Sequence, residues 1–263
     1  TGRLFSQEAV AFGFPRFPLG VLLTGVPGCG KSMVAKAIAN EWGMGFRRVQ
    51  PDELVGRMVG DNEKFMRNLV TELAEDAPIV CFIDEAEKVL GQTRSPSYYR
   101  VTDAARDSAE SILLQFMQDD KSGVFFVFTA NDFEKMSPAL IDRFDGTWFI
   151  DLPSKKGRIE IIRGELEQKK QVSKEIDFDE LGRTSKQFSG RDIIYSIEEA
   201  VMTAFTDNNR NLESRDLVVA FDKHVPTSVI HASRITAMRE LVQEGKIRKA
   251  NTHTPEDPSD PSD

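Results

Sequence analysis

No stretch of this 263-residue chain is apolar for long enough to cross a bilayer; the longest such run, Val124 to Ala130, has the length of one buried strand. Nothing resembles a signal peptide either, and a soluble protein is expected. Cysteine is almost missing. Of the two present, Cys29 sits in a glycine-rich stretch and Cys81 in an apolar one, which argues against a disulfide framework and for a reducing compartment. Dense clusters of Lys and Arg are also missing and the net charge is -8, so the basic face that would neutralise the phosphates of a nucleic-acid duplex is lacking. No N-K-x-D guanine motif occurs, which weighs against a GTPase switch. The first residue is Thr1 rather than Met, and sequence upstream of it is expected.

What the chain does hold is enough apolar residue, 40% of the total, for one large domain or one plus a small satellite. Its most informative stretch is Gly25, Val26, Pro27, Gly28, Cys29, Gly30, Lys31 and Ser32, an unbroken G-x-x-x-x-G-K-S. The apolar run Gly20 to Leu23 precedes it and the helix-forming Val34 to Ala39 follow it, which is the strand, loop and helix order of a phosphate-binding loop. In such a loop the backbone N–H groups converge on phosphate oxygens, Lys31 reaches the β- and γ-phosphates, and the Ser32 hydroxyl holds Mg²⁺. A nucleotide is the expected ligand.

Along the chain, Ser6 to Ala11 predicts a short helix and Lys31 to Trp42 a longer one, with a second strand over Phe46 to Gln50. Asn62 to Leu73 reads as a helix with Phe65, Leu69 and Leu73 on one face, and Ile79 to Ile83 as a buried strand. Periodicity fails from Gly91 to Arg106, which predicts a long loop before a helix ending at Phe116 and Met117. Val124 to Ala130 and Thr147 to Leu152 are the fourth and fifth strands, with a short helix over Pro138 to Ile141 between them. Strands alternating with helices predict a parallel five-stranded sheet with helices on both faces. Beyond Pro153 only helical periods remain. The parts are therefore a large α/β part over 1–153, a small helical domain over 154–226, a C-terminal helical segment over 227–250 and an acidic tail over 251–263, expected to be disordered.

Asp84 and Glu85 follow the buried strand directly, at the strand end where open α/β sheets place their ligands. Asp84 suits the Mg²⁺ shell opposite Ser32, and Glu85 is the candidate base for the attacking water; Glu87 is left aside as a bystander. Asn131, after the fourth strand, can fix that water beside the γ-phosphate. Arg143 stands in Asp142, Arg143, Phe144, Asp145, where two roles stay open: a finger reaching a neighbouring subunit's nucleotide, or an ion pair with Asp142 or Asp145.

With these residues assembled, the chain resembles the AAA ATPases, most closely the AAA module of the plastid- and cyanobacteria-encoded members. The resemblance runs from Leu4 to Ala250 and is carried by Phe5, Ser6 and Glu8 leading to Pro18 and Gly20, by Ala35 to Trp42, by Val59 to Glu63, by Phe149 to Pro153, and by Phe188, Ser189 and Gly190. It implies a P-loop AAA+ fold with a small α-helical lid, ATP and Mg²⁺ as cofactors, a hexameric ring with nucleotide sites between subunits, and a cytoplasmic or plastid-stroma location. By position, Pro27, Gly28, Cys29, Gly30, Lys31, Ser32 and Met33 contact the nucleotide together with Asp84, and Ser32 and Asp84 hold the metal. Glu85 then acts on water, Asn131 is the first sensor and Arg143 the finger in trans. Arg57, Met58, Val59 and Gly60 form the pore loop that grips a threaded polypeptide.

The chain departs from the family pattern in several places. The finger region of these relatives reads R-x-G-R-F-D, and only one of the two arginines stands here. Arg191 follows Gly190 where the close relatives have Ala; it is either a cis contact to the γ-phosphate or a surface residue at a helix start. Met58 takes the place of a pore aromatic, as a flexible grip on substrate or a core methionine. The segment that precedes Leu4 in the family helps close the adenine pocket, so the resemblance assigns no adenine contacts here. Two functions follow: a ring-forming motor that remodels or translocates a protein, or a nucleotide-dependent binding module in a larger assembly with slow or dispensable hydrolysis.

Overall fold

The computed structural model describes residues 7–13, 17–50, 53, 61–90, 100–119, 122–170 and 176–250. Helix α1 (Gln7–Phe12), strand β1 (Gly20–Gly25), helix α2 (Lys31–Trp42), strand β2 (Gly45–Val49) and helix α3 (Asp61–Glu75) come first. Strand β3 (Ile79–Ile83), helices α4 (Glu87–Leu90) and α5 (Arg100–Asp119), strand β4 (Val124–Ala130), helix α6 (Pro138–Ile141) and strand β5 (Gly146–Ile150) follow. The remainder is helices α7 (Lys155–Gln168), α8 (Phe178–Thr184), α9 (Gly190–Thr206), α10 (Ser214–Lys223), α11 (Thr227–Ile230) and α12 (Ala232–Gln243), then strand β6 (Arg248–Lys249).

Among the described residues the strands form a six-stranded sheet ordered β2-β3-β4-β1-β5-β6, one strand more than expected. The extra strand, β6, is two charged residues long and has no hydrophobic period to betray it; backbone bonding defines it, with the Ala250 N–H donating to the Phe149 carbonyl at 2.9 Å. Strands β1 to β4 run parallel. Every residue of β3 and β4 is buried, which is why both read as unbroken apolar runs. At the sheet's edge, β2 buries only Val49 and keeps Arg47 and Arg48 exposed, a charged rim that discourages edge-to-edge pairing.

The structure divides into two compact units. The first takes in Thr1–Thr24 and Lys31–Trp148. Its core gathers Leu22, Ile83, Phe126 and Phe128 from the strands, Met66, Leu69 and Leu73 from α3, and Leu113 and Met117 from α5. On α3 the innermost first contact is Met66 rather than the expected Phe65, which is only partly buried. Edge-on aromatic pairs tie β4 to the turn after α6, with Phe128 5.0 Å from Phe144. Helix α5 starts at Arg100, inside the stretch expected to be loop. Its first turns lack an apolar stripe, but Ala and Arg are strong helix formers and a helix satisfies its own backbone without one.

The second unit takes in Gly25–Gly30 and Phe149–Asp263. Ile162 and Leu166 of α7, Leu181 of α8, Ile193 and Ile197 of α9, and Leu217 and Phe221 of α10 make its core. Helix α8, absent from the expectation because it is short, is started by Asp177, whose carboxylate accepts from the Asp179 and Glu180 N–H groups at 3.0 Å each. A capping box opens α9: Ser189 Oγ accepts from the Asp192 N–H at 3.2 Å, and Asp192 Oδ2 from the Ser189 N–H at 2.8 Å.

Buried Asp192 also accepts from Thr227 Oγ1 at 2.6 Å and lies 3.1 Å from His224 Nε2, so it joins the start of α9 to α10 and α11. Burial on its own raises this carboxyl, yet the hydrogen bonds from Thr227, Ser189 and His224 outweigh it and hold the group below the ordinary carboxylate value. Its stabilisation is therefore complete above the unfolded-chain value of about 3.9 and is lost as pH falls through the lower native value. Asp192→Asn should cost about 2 kcal/mol at pH 7. Thermal melts should show that deficit shrinking as the pH approaches 3.

Candidate nucleotide site

The glycine-rich loop is held by two close approaches that exclude side chains. Gly25 has φ 137°, and a Cβ there would lie 2.1 Å from the Ile150 carbonyl oxygen; the same carbonyl accepts from the Val26 N–H at 3.0 Å. Gly28 has φ 83°, and a Cβ there would come within 2.8 Å of both Ser189 Oγ and Arg191 Cβ. The Gly28 carbonyl accepts from the Arg191 N–H at 3.1 Å, so the loop is bonded to the first turn of α9. Pro27, Gly28, Cys29 and Gly30 are half-buried. Lys31 and Ser32 open α2, Lys31 buried and Ser32 half-buried, at the positive end of that helix, where orphan N–H groups and dipole favour an anion. Met33, next in the chain, is largely exposed.

Sheet register explains the placement of the carboxylates. Ile83 pairs with Phe128, so the next residues along the two parallel strands, Asp84 and Thr129, stand side by side. Thr129 Oγ1 donates to Asp84 Oδ1 at 2.6 Å and accepts from the Glu85 N–H at 2.9 Å, while its carbonyl accepts from the Ala86 N–H at 2.8 Å. One buried threonine thus fixes the turn that carries both acids. Glu85 takes a left-handed backbone, φ 49°, of the sort that persists only where neighbours over-determine it. Asn131 Nδ2 donates to Glu85 Oε1 at 2.9 Å, and the Asn131 N–H donates to Glu87 Oε1 at 3.0 Å.

The structure therefore brings Asp84, Glu85 and Asn131 together and adds residues the sequence reading passed over. Thr129 could have been found by extending the strand register; Glu87, set aside as a bystander, holds the backbone of Asn131. Arg48, from the end of β2, donates to Asp84 Oδ2 at 3.3 Å with its guanidinium 5.8 Å from the Phe82 ring. Lys88 pairs with Glu85 Oε2. The hydrogen bond to Glu85, then the charge of Glu85, raises the Lys88 ammonium above its ordinary value. Thr129→Val should leave nucleotide affinity nearly unchanged but lower hydrolysis about tenfold. It removes the bond to Asp84 and strands the Glu85 N–H, a loss of about 1–3 kcal/mol of positioning, which phosphate-release kinetics would read.

Arg143 follows α6 and donates through Nη2 to Gln118 Oε1 at 2.9 Å, while its Nε is buried with no hydrogen-bond partner among the described residues. Arg191 is anchored by its backbone and its side chain is exposed. Arg57, Met58, Val59 and Gly60 and the tail 251–263 lie outside the described residues. Burial pushes the Cys81 thiol up to about 12, so it is inert; Cys29 is half-buried in the loop. Among the described residues no three His, Cys, Asp or Glu gather as a metal cage, and no helix is long and apolar enough to cross a membrane.

Comparison with known proteins gives the same picture. The family model described as "ATPase family associated with various cellular activities (AAA)" matches residues 21–152. The AAA domain-containing protein ycf46 of Gracilaria tenuistipitata var. liui, itself uncharacterised, is 30% identical over 253 residues, covering 95% of this chain and 50% of that protein. Proteasome-activating nucleotidase 1 of Haloferax volcanii is 32% identical over 208 residues, covering 78% of this chain and 51% of its own length. The chain thus spans about half the length of these curated relatives. Among solved structures, the FIGL-1 AAA domain in complex with ADP superposes with a TM-score of 0.75 at 22% identity, over 91% of this chain and 82% of that one, a likeness of fold.

Proposed function

The chain belongs to the AAA ATPase family, and from that premise we propose that it binds ATP with Mg²⁺, hydrolyses it, and works in a ring that remodels or translocates a protein partner. The observation that carries the hydrolytic part is the Thr129 hydroxyl holding Asp84 and Glu85 on one turn, with Asn131 bonded to Glu85. The loop Gly25 to Gly30 presents backbone N–H groups to the phosphates, and Lys31 adds a positive charge. Glu85 takes the proton of the attacking water as the water oxygen bonds to the γ-phosphorus. The bond to the β,γ-bridging oxygen then breaks, and its electron pair leaves with ADP. Asn131 orients Glu85.

The donors expected for the metal fit a hard cation: the Ser32 hydroxyl and the Asp84 carboxylate are oxygen ligands, and Mg²⁺ beside a polyphosphate needs only one or two of them from the protein. Bound there, it would supply charge neutralisation on the β- and γ-phosphates. We assign Arg57 to Gly60 the grip on the protein partner and Arg143 the completion of a neighbour's site. Mass photometry of Glu85→Gln with ATP, together with specific activity of the wild type against protein concentration, tests the ring. Assembly-coupled turnover requires a multimer and activity that rises with concentration; a monomer with a flat profile would remove the motor.

One feature favours the second reading, a nucleotide-dependent binding module. Both Glu85 carboxylate oxygens are engaged, Oε1 by Asn131 and Oε2 by Lys88. A wild type that turns over no faster than Glu85→Gln, while both bind ATP, would identify such a module.

A further inference from the structure

We propose that Lys88 is a brake on hydrolysis: its ammonium sits on Oε2 of Glu85 and competes with the attacking water for that carboxylate. The inference rests on Glu85 being the base. Lys88 lies one helical turn beyond Glu85, at the start of α4, where i,i+3 side chains meet. Oε1 of Glu85 accepts from Asn131 Nδ2 at 2.9 Å and Oε2 from Lys88 Nζ, so a water approaching Oε2 competes with an ammonium already bonded there.

Among the described residues nothing else requires this lysine. Its side chain is 60% exposed, it lines no part of the buried core, and its bond is to Glu85 with added attraction from Glu87 and Asp84. The same contact raises its affinity for its own proton, so it stays an ammonium through neutral and mildly alkaline pH. Lys88 is therefore a positioning residue acting through Glu85. Its hold is limited: an ion pair this open to solvent biases an equilibrium by no more than about fivefold, which makes the brake one that releases readily rather than a block.

Single-turnover hydrolysis, with the full chain in excess over ATP, reads the chemical step apart from product release. Lys88→Met should raise the single-turnover rate constant about two- to fivefold, with unchanged affinity for a fluorescent non-hydrolysable ATP analogue and an unchanged melting temperature. Lys88→Arg, which keeps the charge, should stay at the wild-type rate. The proposal is overturned if Lys88→Met is no faster than wild type, if Lys88→Arg is as fast as Lys88→Met, or if rate and melting temperature fall together. Glu85→Gln separates the two levels of the inference. If that variant keeps wild-type turnover, the assignment of the base has failed; if it is inactive while Lys88→Met is unchanged, only the brake has failed.

Discussion

Glu85→Gln is expected to bind ATP as the wild type does and to lose about 10²- to 10⁴-fold in hydrolysis, the usual worth of a positioned general base. The substitution is close to isosteric, so the turn held by Thr129 persists: the bond from the residue 85 N–H to Thr129 Oγ1 is a backbone bond and does not depend on the side chain. The Gln oxygen can still accept from Asn131 Nδ2. What disappears is the second acceptor, because the amide nitrogen is a donor and faces Lys88, another donor. Binding is proposed to rest elsewhere, on the loop Gly25 to Gly30 and on Lys31, so calorimetry should find the affinity within about twofold of wild type. A variant that keeps more than about a tenth of the wild-type rate would show that the water is activated without the Glu85 carboxylate.

The parts of this site that a sequence can display are those coded by contiguous residues. The glycine-rich loop is one run, and β3 leads straight into Asp84 and Glu85, so the place of both in the fold was legible. So was the sheet's interior, since strands covered on both faces, such as β3 and β4, must be apolar throughout. Thr129 was not legible as a candidate, because its contacts come from lying beside Asp84 in the register of two strands that are 45 residues apart in the chain at that point. Glu87 and Lys88 were visible only as charges on the first turn of a short helix; which group each meets, the Asn131 N–H or the Glu85 carboxylate, depends on the left-handed backbone at Glu85, for which no residue type is diagnostic. At the other end of the chain, β6 and the bidentate pair of Arg239 with Asp151 tie the last segment down with backbone and charge, two signals that hydrophobic periodicity does not carry.

Arg143→Ala should be the other severe lesion, with turnover falling by about 10³- to 10⁵-fold if the guanidinium completes a neighbour's site. Its setting suits a group that has to be aimed. Phe144, the next residue, is buried against Phe128, and Asp145 Oδ2 accepts from the Leu19 and Gly20 N–H groups at 2.7 and 3.0 Å, so the turn carrying Arg143 is fixed to β1 and β4. The Arg143 side chain meanwhile has one bond to Gln118 and a buried Nε without a partner among the described residues, an arrangement that gives it little reason to stay. Losing the Gln118 bond costs about 1–3 kcal/mol of folding, too little to explain so large a drop by unfolding. Mixing separates action in trans from action in cis. Arg143→Ala keeps its base and Glu85→Gln keeps its arginine, so a mixed assembly of the two should regain activity that neither has alone. Mixtures that stay inactive would place Arg143 in its own subunit's site or outside catalysis. Arg191 would then be the next cation to test, since its backbone is bonded to the glycine-rich loop while its side chain is exposed.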